Sequence, residues 1–465
     1  MMALLTLLGC GGEASGPPIV WITLDTVSAA HMRLYGGRAE MPTLERFARD
    51  AVVFDHAYSH FPQTQQSHWT MFTSTLPEVH RTASDARTTM YAGPTIAEHL
   101  AAAGYATGGF VGGLTLSIEA SGLDRGFGVY DHASAWGRDN DLRPASQVRA
   151  QALAWMAEQD RPYFAFINLF EAHSAYEPKD GKRYDPDYTG HADGSLATLA
   201  RERSNPWMSP RDIAHVVALY DAELTELDQE LEALFAAIPA EAIVVVTSDH
   251  GESFDHGYLF NHPEVVYDSV LHVPLLIRAP GIPARREAAQ VGLMDLTPTV
   301  LQLAGLPPMV GAAGHPLLPE TPPRSPLYAR SRAPTGGRAL LAARTPTAKG
   351  VFEEGGASWA FDLVADPGEH ARTALPAELA DAQTRYDALA ATDLPRGLPS
   401  RFQPPAHELK ERLEALGYTS AEDGRAAEHP GSRPPIHPGA PPGPPPGPRP
   451  EATLQVESAG PPPPR

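Results

Sequence analysis

The stretch Ala242–Glu252, with the sequence AIVVVTSDHGE, decides the fold of this 465-residue chain. Its first five residues form an unbroken apolar run, which is typical of a strand buried on both faces. Three polar residues, Ser248-Asp249-His250, then end the strand. The run Ile19–Leu24 repeats the pattern near the start of the chain and ends at Asp25. Both stretches predict central strands that carry polar side chains at their carboxyl ends.

The rest of the chain alternates between short apolar runs and helical patterns. Further strands are predicted at 105–111, 163–170 and 273–278, and helices at 43–51, 95–104, 211–238 and from Thr297 onward. This alternation predicts an α/β fold with a doubly wound, mostly parallel sheet flanked by helices. Ligands bind at the carboxyl ends of the strands in such sheets. Asp25 and Asp249 lie at two of these ends.

Composition divides the chain into four predicted segments. We predict a lipoprotein-type signal and tether at 1–17, a catalytic α/β domain at 18–322, a small antiparallel α+β subdomain at 323–420, and a disordered Pro-rich tail at 421–465. The tail is expected to be disordered because its composition cannot bury enough apolar area to offset the entropy of ordering.

The only cysteine of the chain is Cys10, which follows a short apolar run. Leu7-Leu8-Gly9-Cys10 reads like a bacterial lipoprotein signal, in which the cysteine is lipidated after cleavage. This predicts a periplasm-facing lipoprotein of the bacterial cell envelope, held at the membrane only by a lipid anchor. The alternative is a mis-assigned start with a chance cysteine, since the expected positively charged n-region is missing.

Charge and cysteine content exclude several function classes. The chain has 36 Lys and Arg against 56 Asp and Glu, a net charge of −20. Nucleic-acid partners are not expected, because phosphate backbones require a basic surface. A single cysteine excludes an internal disulfide framework and a cysteine-based zinc site.

Four features carry residues suited to chemistry. Asp25, Asp249 and His250 offer oxygen and nitrogen donors that suit Mn²⁺, Zn²⁺, Mg²⁺ or Ca²⁺. Thr64 precedes a predicted helix, whose N-terminus favours an anionic ester, and a cation would make its hydroxyl a usable nucleophile. His173 and His262 are candidates to hold substrate oxygens or to protonate a leaving group.

Each feature also has a structural interpretation. An aspartate at a strand end is often a helix cap, and 19 histidines make chance clustering inevitable. The run Ser248–Glu252 is harder to explain in structural terms, because it breaks a buried strand with consecutive polar residues.

Several of these motifs, taken in order, resemble the sulfatase branch of the alkaline-phosphatase superfamily over about residues 18–420. The markers are Ile22-Thr23-Leu24-Asp25-Thr26, Tyr35-Gly36, Thr64–His68, Thr73–Pro77, Ser248–Glu252, His272–Leu275, Asp295–Thr299, Phe361-Asp362-Leu363 and Asp366–Glu369.

The resemblance implies an alkaline-phosphatase-like fold and assigns roles to residues. It implies that Asp25, Asp249 and His250 bind a divalent metal ion, and that Thr64 is both nucleophile and metal ligand. Many sulfatases have cysteine at the position of Thr64 and oxidise it to formylglycine, which threonine cannot become. A threonine resembles instead the phosphodiesterases and phosphoethanolamine transferases of the superfamily.

The same resemblance extends to histidines that contact substrate. It makes His173 and His262 catalytic candidates and His68, His80 and His272 candidate substrate-binding or supporting residues; His68 stands where sulfatases carry arginine. Two departures from the family pattern are Thr26, in place of a second aspartate, and Gln66, in place of a frequent proline.

The resulting expectation is a metal-dependent hydrolase of sulfate or phosphate esters, with a glycan, lipid or small-molecule anionic ester as substrate. The alternatives are a phosphoethanolamine-type transferase and a non-catalytic lipoprotein that binds an anionic glycan. The segment 184–208 is expected to be a loop that contributes to substrate specificity.

Overall fold

Fourteen strands are present in the structure, a computed structural model that describes residues 16–80, 91, 93–132, 143–262, 265–332 and 338–391. Cys10 and the tail predicted at 421–465 lie outside these residues. The strands are β1 Ile19–Leu24, β2 Val52–Tyr58, β3 Ala106–Val111, β4 Val129–Asp131, β5 Tyr163–Leu169, β6 Ile243–Thr247, β7 Ser253–Asp255, β8 Tyr258–Asn261, β9 His272–Arg278, β10 Arg285–Gly292, β11 Leu327–Arg330, β12 Leu340–Arg344, β13 Ala348–Glu353 and β14 Ser358–Asp362.

Eight of these strands form the central sheet, in the order β10-β2-β9-β6-β1-β5-β3-β4. Every neighbouring pair is parallel except the two pairs that involve β9. The prediction of a mostly parallel α/β sheet is therefore confirmed.

The register of the central strands brings the predicted polar residues together. Within β1, Leu24 pairs with Leu169 of β5, and Thr23 pairs with Thr247 of β6. Asp25 and Asp249 therefore emerge from neighbouring strands at one edge of the sheet.

Helices cover both faces of this sheet. They are α1 Pro42–Phe47, α2 Thr64–Thr73, α3 Pro77–His80, α4 Ile96–Ala102, α5 Ile118–Ser121, α6 Ala145–Ala157, α7 Leu196–Ser204, α8 Pro210–Ala237, α9 Asp268–Leu271, α10 Leu296–Leu303 and α11 Ala382–Ala390. None of these described helices has the length and apolar character needed to cross a membrane.

Strand β1 is apolar along its whole length because it serves two cores. Val20 and Ile22 belong to the core that includes leucines of α8, whereas Ile19 and Trp21 belong to the core that includes Phe72 of α2. Burial on both faces, as predicted from the unbroken run, fixes the strand in the centre of the molecule.

Two helix predictions illustrate how well local signals work. Helix α4 begins after Thr95, whose hydroxyl accepts a hydrogen bond from the backbone N–H of Glu98 in the predicted capping box. The segment 184–208, by contrast, is not loop throughout, since it contains α7. The signal was Ser195, whose hydroxyl accepts from Thr198 N at the N-terminus of α7.

The strands β11–β14 form a separate antiparallel sheet in chain order. They fall within the segment 323–420, for which an antiparallel subdomain was predicted, and the limits of that segment stay predictions. Strands β7 and β8 form a short antiparallel hairpin after the Ser248–Glu252 run.

Candidate active site

Three predicted metal ligands meet at the carboxyl ends of β1 and β6. One ligand atom each of Asp25, Asp249 and His250 lies within 4.8 Å of the others. All three side chains are fully buried. The convergence expected from the strand ends is therefore present in the structure.

The donor set fits a divalent cation. Asp25 Oδ1 and Asp249 Oδ2 are buried and have no hydrogen-bond partner among the described residues. Burial, and next the neighbouring Asp249, raise the pKa of Asp25 well above its usual value. His250 Nδ1 is 2.9 Å from the Gly251 carbonyl, so the N–H lies there and the Nε2 lone pair faces the carboxylates. Burying two carboxylates and an imidazole lone pair without a cation costs free energy. Such a set of buried donors is typical of a metal site.

Thr26 stands at the position of the missing second aspartate and supports this site through other contacts. It has a positive φ of 57°, its hydroxyl donates to the Asp25 carbonyl at 2.7 Å, and its backbone N–H donates to Asp249 Oδ1 at 3.2 Å. Its side chain is thus engaged with the backbone, and its amide orients the carboxylate of Asp249.

Thr64 is the first residue of α2 and lies beside the metal-ligand group. Its Oγ1 is 3.2 Å from His250 Nε2 and it is fully buried. The hydroxyl of Ser67, one turn further along α2, donates to the Asp249 carbonyl at 2.7 Å. This contact fixes the helix on the β6 loop, so the positive end of the helix dipole lies at the Thr64 hydroxyl.

His68 also lies on α2, one turn after Thr64. Its Nδ1 donates to the Thr64 carbonyl at 2.7 Å, and its Nε2 is 3.2 Å from Thr23 Oγ1. Burial lowers its pKa. Asn168 completes the network, since its amide N–H group donates to Thr23 Oγ1 and to Asp25 Oδ2. His68 therefore links Thr64 to β1 and β5, and a direct role in substrate binding stays a prediction.

His173 and His262 meet on the other side of Thr64. Their Nε2 atoms are 3.2 Å apart, and the His262 ring centroid is 4.5 Å from that of His250. The Gln63 amide nitrogen lies 2.8 Å from the His262 carbonyl and 3.2 Å from its Nδ1. His173 Nδ1 donates to the Ser174 carbonyl at 3.0 Å. This network assigns the N–H of His262 to Nε2, where it points at the His173 Nε2 lone pair.

Both of these imidazoles are neutral near pH 7. Burial lowers the pKa of His173 to about 4. Burial, and next the neighbouring His250 and His173, hold the pKa of His262 well below its usual value. The two rings can therefore act as a hydrogen-bond donor and acceptor without bringing charge to the site.

Two predicted substrate-binding residues are placed differently. His80 Nε2 is 3.0 Å from Thr70 Oγ1 on the same side of the sheet as α2, and burial lowers its pKa to about 3. His272 opens β9, bonds through Nε2 to the Asp55 carbonyl of β2 at 2.9 Å, and stacks on Tyr58. Substrate binding by these two residues stays a prediction.

Three residues that bond to the site or to the strand before His262 were missed by the sequence reasoning. Asn168 lies on β5, in a run that was interpreted only as a buried strand. Its polar amide interrupts the apolar run, and this signal was present in the sequence. Gln63 lies next to Thr64 in a motif already singled out. Arg203, whose Nη1 donates to the Phe260 carbonyl at 2.9 Å, came from the segment expected to be loop, and no local signal set it apart.

Known proteins resemble this chain in sequence over a limited stretch. It is 35% identical to Arylsulfatase K of Bos taurus over 118 residues, which cover 24% of this chain and 22% of that protein. The match to Arylsulfatase K of Danio rerio is 36% over 115 residues, covering 23% and 22% respectively. The chain thus matches about a fifth of the length of these curated relatives.

Solved structures share the fold over most of the chain. The phosphonate monoester hydrolase of Agrobacterium radiobacter superposes with a TM-score of 0.67 at 18% identity, covering 81% of this chain and 96% of that one. The phosphonate monoester hydrolase of Silicibacter pomeroyi gives 0.62 at 21% identity, covering 80% and 94%. A protein solved with its substrate D-glucosamine-2-N,6-O-disulfate gives 0.64 at 18% identity, covering 88% and 100%.

A model of one protein family matches more than half of the chain. That family is Sulfatase, and the match runs over residues 17–306. It spans β1, α2, β6 and β9, which are the elements that carry the motifs and the metal-ligand group. The chain belongs to the sulfatase family, within the alkaline-phosphatase superfamily.

Proposed function

We propose that this chain is a metal-dependent hydrolase of sulfate or phosphate esters that uses Thr64 as its nucleophile. One observation carries the proposal: the Thr64 hydroxyl lies 3.2 Å from His250 Nε2, beside two buried carboxylate oxygens that have no hydrogen-bond partner among the described residues. Membership of the sulfatase family supports the reaction class, as do relatives named arylsulfatase and phosphonate monoester hydrolase.

The chemistry follows from the residues around Thr64. When bound by Asp25, Asp249 and His250, a divalent cation would neutralise charge on the ester oxygens and lower the pKa of a hydroxyl group. Thr64 Oγ then attacks phosphorus or sulfur in line with the leaving alcohol. The bond from Oγ to that atom forms while the ester bond to the alcohol oxygen breaks.

The histidine pair serves the leaving alcohol. The Nε2–H of His262 donates a hydrogen bond to the departing oxygen, and in the resting site this N–H faces the Nε2 lone pair of His173. The proton released by the Thr64 hydroxyl is taken up by the alcohol that leaves, so both imidazoles stay neutral. A water molecule then cleaves the threonine ester, which releases phosphate or sulfate and restores the hydroxyl group. Phosphate esters are the expected better substrates, because threonine cannot form the aldehyde hydrate on which formylglycine sulfatases depend.

The site must supply its own positive charge to bind an anion. The chain carries a net charge of −20, which repels anionic esters at long range.

We also propose that Cys10, outside the described residues, carries a lipid that holds the enzyme at the periplasmic face of the bacterial envelope. Mass spectrometry of the mature protein tests this: a diacylglycerol adduct on Cys10 is expected, and an unmodified cysteine contradicts it.

Purified protein assayed with aryl phosphate monoesters, aryl phosphate diesters and aryl sulfates, each with Mn²⁺, Zn²⁺, Mg²⁺ or Ca²⁺, tests the proposal. We expect hydrolysis of at least one class. Thr64→Ala is expected to lower kcat by about a thousandfold or more, since the loss of a nucleophile removes a whole covalent step. Thr64→Ser is expected to keep activity because it retains the hydroxyl group.

Thr70→Ser is the matched control, because Thr70 lies on the same buried helix and bonds to His80. It should retain the activity of the unaltered protein. Full activity in Thr64→Ala, or no turnover of any ester with any of the four ions, would contradict the proposal. Formation of a new phosphate or sulfate ester of an added alcohol, in place of free phosphate or sulfate, would indicate a transferase.

A further inference from the structure

One cation on α7 has no ion-pair partner among the described residues. Arg203, near the end of α7, is half-buried. Other arginines form close ion pairs, among them Arg143 with Asp131 and Arg33 with Glu45. Arg203 has no carboxylate within ion-pair distance in the part of the chain that the structure describes. Its acidic neighbour Glu202 is already occupied, accepting from the backbone of Trp207 and Met208.

The hydrogen bonds of Arg203 place it next to the histidine pair. Its Nη1 donates to the carbonyl of Phe260, two residues before His262. Asn261, between them, accepts from His262 N through its side-chain oxygen at 2.9 Å. The guanidinium group is therefore bonded to the strand that leads into His262, on the side of the site at which the alcohol leaves.

A guanidinium group is suited to bind an anion at this place. It presents five N–H donors in a planar fork that matches a carboxylate, sulfate or phosphate. Only the bond from Nη1 to Phe260 is made within the described residues, so further donors remain for a ligand. In a protein with a net charge of −20, an unpaired and partly desolvated cation is more useful for an anionic ligand than for stability.

We propose that Arg203 binds a second anionic group on the alcohol part of the substrate, so that the preferred substrates are esters whose alcohol carries a carboxylate or a further sulfate or phosphate. This rests on the proposed function. It names Arg203 as a specificity residue and acidic saccharides or other polyanionic alcohols as the substrate class.

Two pairs of probes test the proposal. The first pair is a 4-nitrophenyl ester, of whichever type the protein hydrolyses, and the same ester with a carboxylate at the meta position. The unaltered protein is expected to favour the carboxylated ester. Arg203→Gln should lower kcat/KM for the carboxylated ester, relative to the plain one, by about tenfold or more, the effect of losing a charged hydrogen bond. Arg203→Lys should retain part of the preference, because it keeps the charge.

Arg201→Gln is the matched control. Arg201 lies on the same helix, is exposed, and sits over the ring of Trp207 at 4.6 Å. It removes the same charge from α7 without touching the hairpin that precedes His262, so the preference should not change. An equal loss on both esters in Arg203→Gln would show that Arg203 only holds Phe260, and it would overturn the proposal, as would an unaltered protein without preference.

The second pair measures binding and does not depend on turnover. Calorimetry with Mn²⁺ present compares phenylphosphonate with its meta-carboxylated analogue. Tighter binding of the carboxylated compound by the unaltered protein, lost in Arg203→Gln and kept in Arg201→Gln, supports the proposal even if no ester is hydrolysed. Equal binding of the two compounds overturns it. Absence of turnover together with the binding preference would count against the proposed hydrolase function alone.

Discussion

The two sides of the site are built by different means. The strand side, Asp25, Asp249 and His250, follows directly from β1 and β6, whose register is fixed by cores on both faces of the sheet. The loop side, His173, His262 and Arg203, is held by hydrogen bonds between loop residues, such as that of Gln63 to the His262 carbonyl. Changes on the strand side should therefore alter metal binding and stability, whereas changes on the loop side should alter turnover and specificity.

The largest expected effect is on the strand side, in Asp249→Asn. In metal-free protein this variant should be more stable by about 1–3 kcal/mol, because a buried carboxylate whose Oδ2 has no hydrogen-bond partner among the described residues is replaced by a neutral amide. At a hundredfold excess of Mn²⁺ over its Kd the unaltered protein should gain about 2.7 kcal/mol and the variant almost nothing. Urea unfolding with chelator and with Mn²⁺ measures both. Equal stabilisation of the two proteins by Mn²⁺ would contradict the assignment of Asp249 as a metal ligand.

A smaller effect is expected on the loop side, in His262→Ala. Loss of the Nε2–H hydrogen-bond donor to the departing oxygen should lower kcat by about a hundredfold, the range found when one such donor is removed. Stabilisation by Mn²⁺ should be unchanged, because His262 is not one of the three metal-ligand residues and its ring packs at a tilt on His250, with 4.5 Å between the ring centroids. Steady-state kinetics and the same unfolding experiment give the two readouts. If the variant lost its response to Mn²⁺, the separation between the two sides would not hold.

The smallest effect is on the pH dependence of stability, and it concerns a buried histidine that belongs to neither the strand side nor the loop side of the site. Burial lowers the pKa of His60 from its ordinary value of 6.5 to about 4, and its Nδ1 donates to the Tyr328 carbonyl. Between these pH values the unfolded chain takes up a proton that the folded protein refuses, so stability falls as the pH falls.

His60→Gln should flatten this dependence by up to about 1.4 kcal/mol per pH unit. The free energy of unfolding, measured by urea between pH 7 and pH 4, gives the slope. Activity at pH 7 should stay within about twofold, since His60 lies in the core and contacts β11. An unchanged slope would mean that the imidazole is already protonated in the folded protein, and it would question the neutral state assigned to His173 and His262.

Sequence reasoning reached the strand side because its signals are local. Unbroken apolar runs predict buried strands, and the first polar residues after them mark the edge where ligands bind. Asp25, Asp249 and His250 were all located in this way. Thr64 was named as a candidate nucleophile from its place before a predicted helix, and the resemblance to the sulfatase family implied that it is also a metal ligand. The antiparallel sheet β11–β14 was likewise expected from short strand-like runs with glycine turns.

The loop side could be predicted only in part. His173 and His262 were named as candidates from the residues and again through the family resemblance, but their mutual contact and the role of Gln63 depend on chain segments far apart in sequence. Arg203 could not be found, because one arginine in a segment with several looks like any surface charge. What distinguishes it is the lack of an acidic partner among the described residues, a property of the folded chain.

The metal content of the purified protein tests the central claim most directly. After dialysis against Mn²⁺, Zn²⁺, Mg²⁺ or Ca²⁺ and removal of free ion, the unaltered protein should retain about one divalent ion per chain, since three protein ligands converge on one position. Asp249→Asn should retain less than about a tenth of that amount, and Arg203→Gln should retain all of it. No bound ion in the unaltered protein, or equal content in Asp249→Asn, would contradict the account.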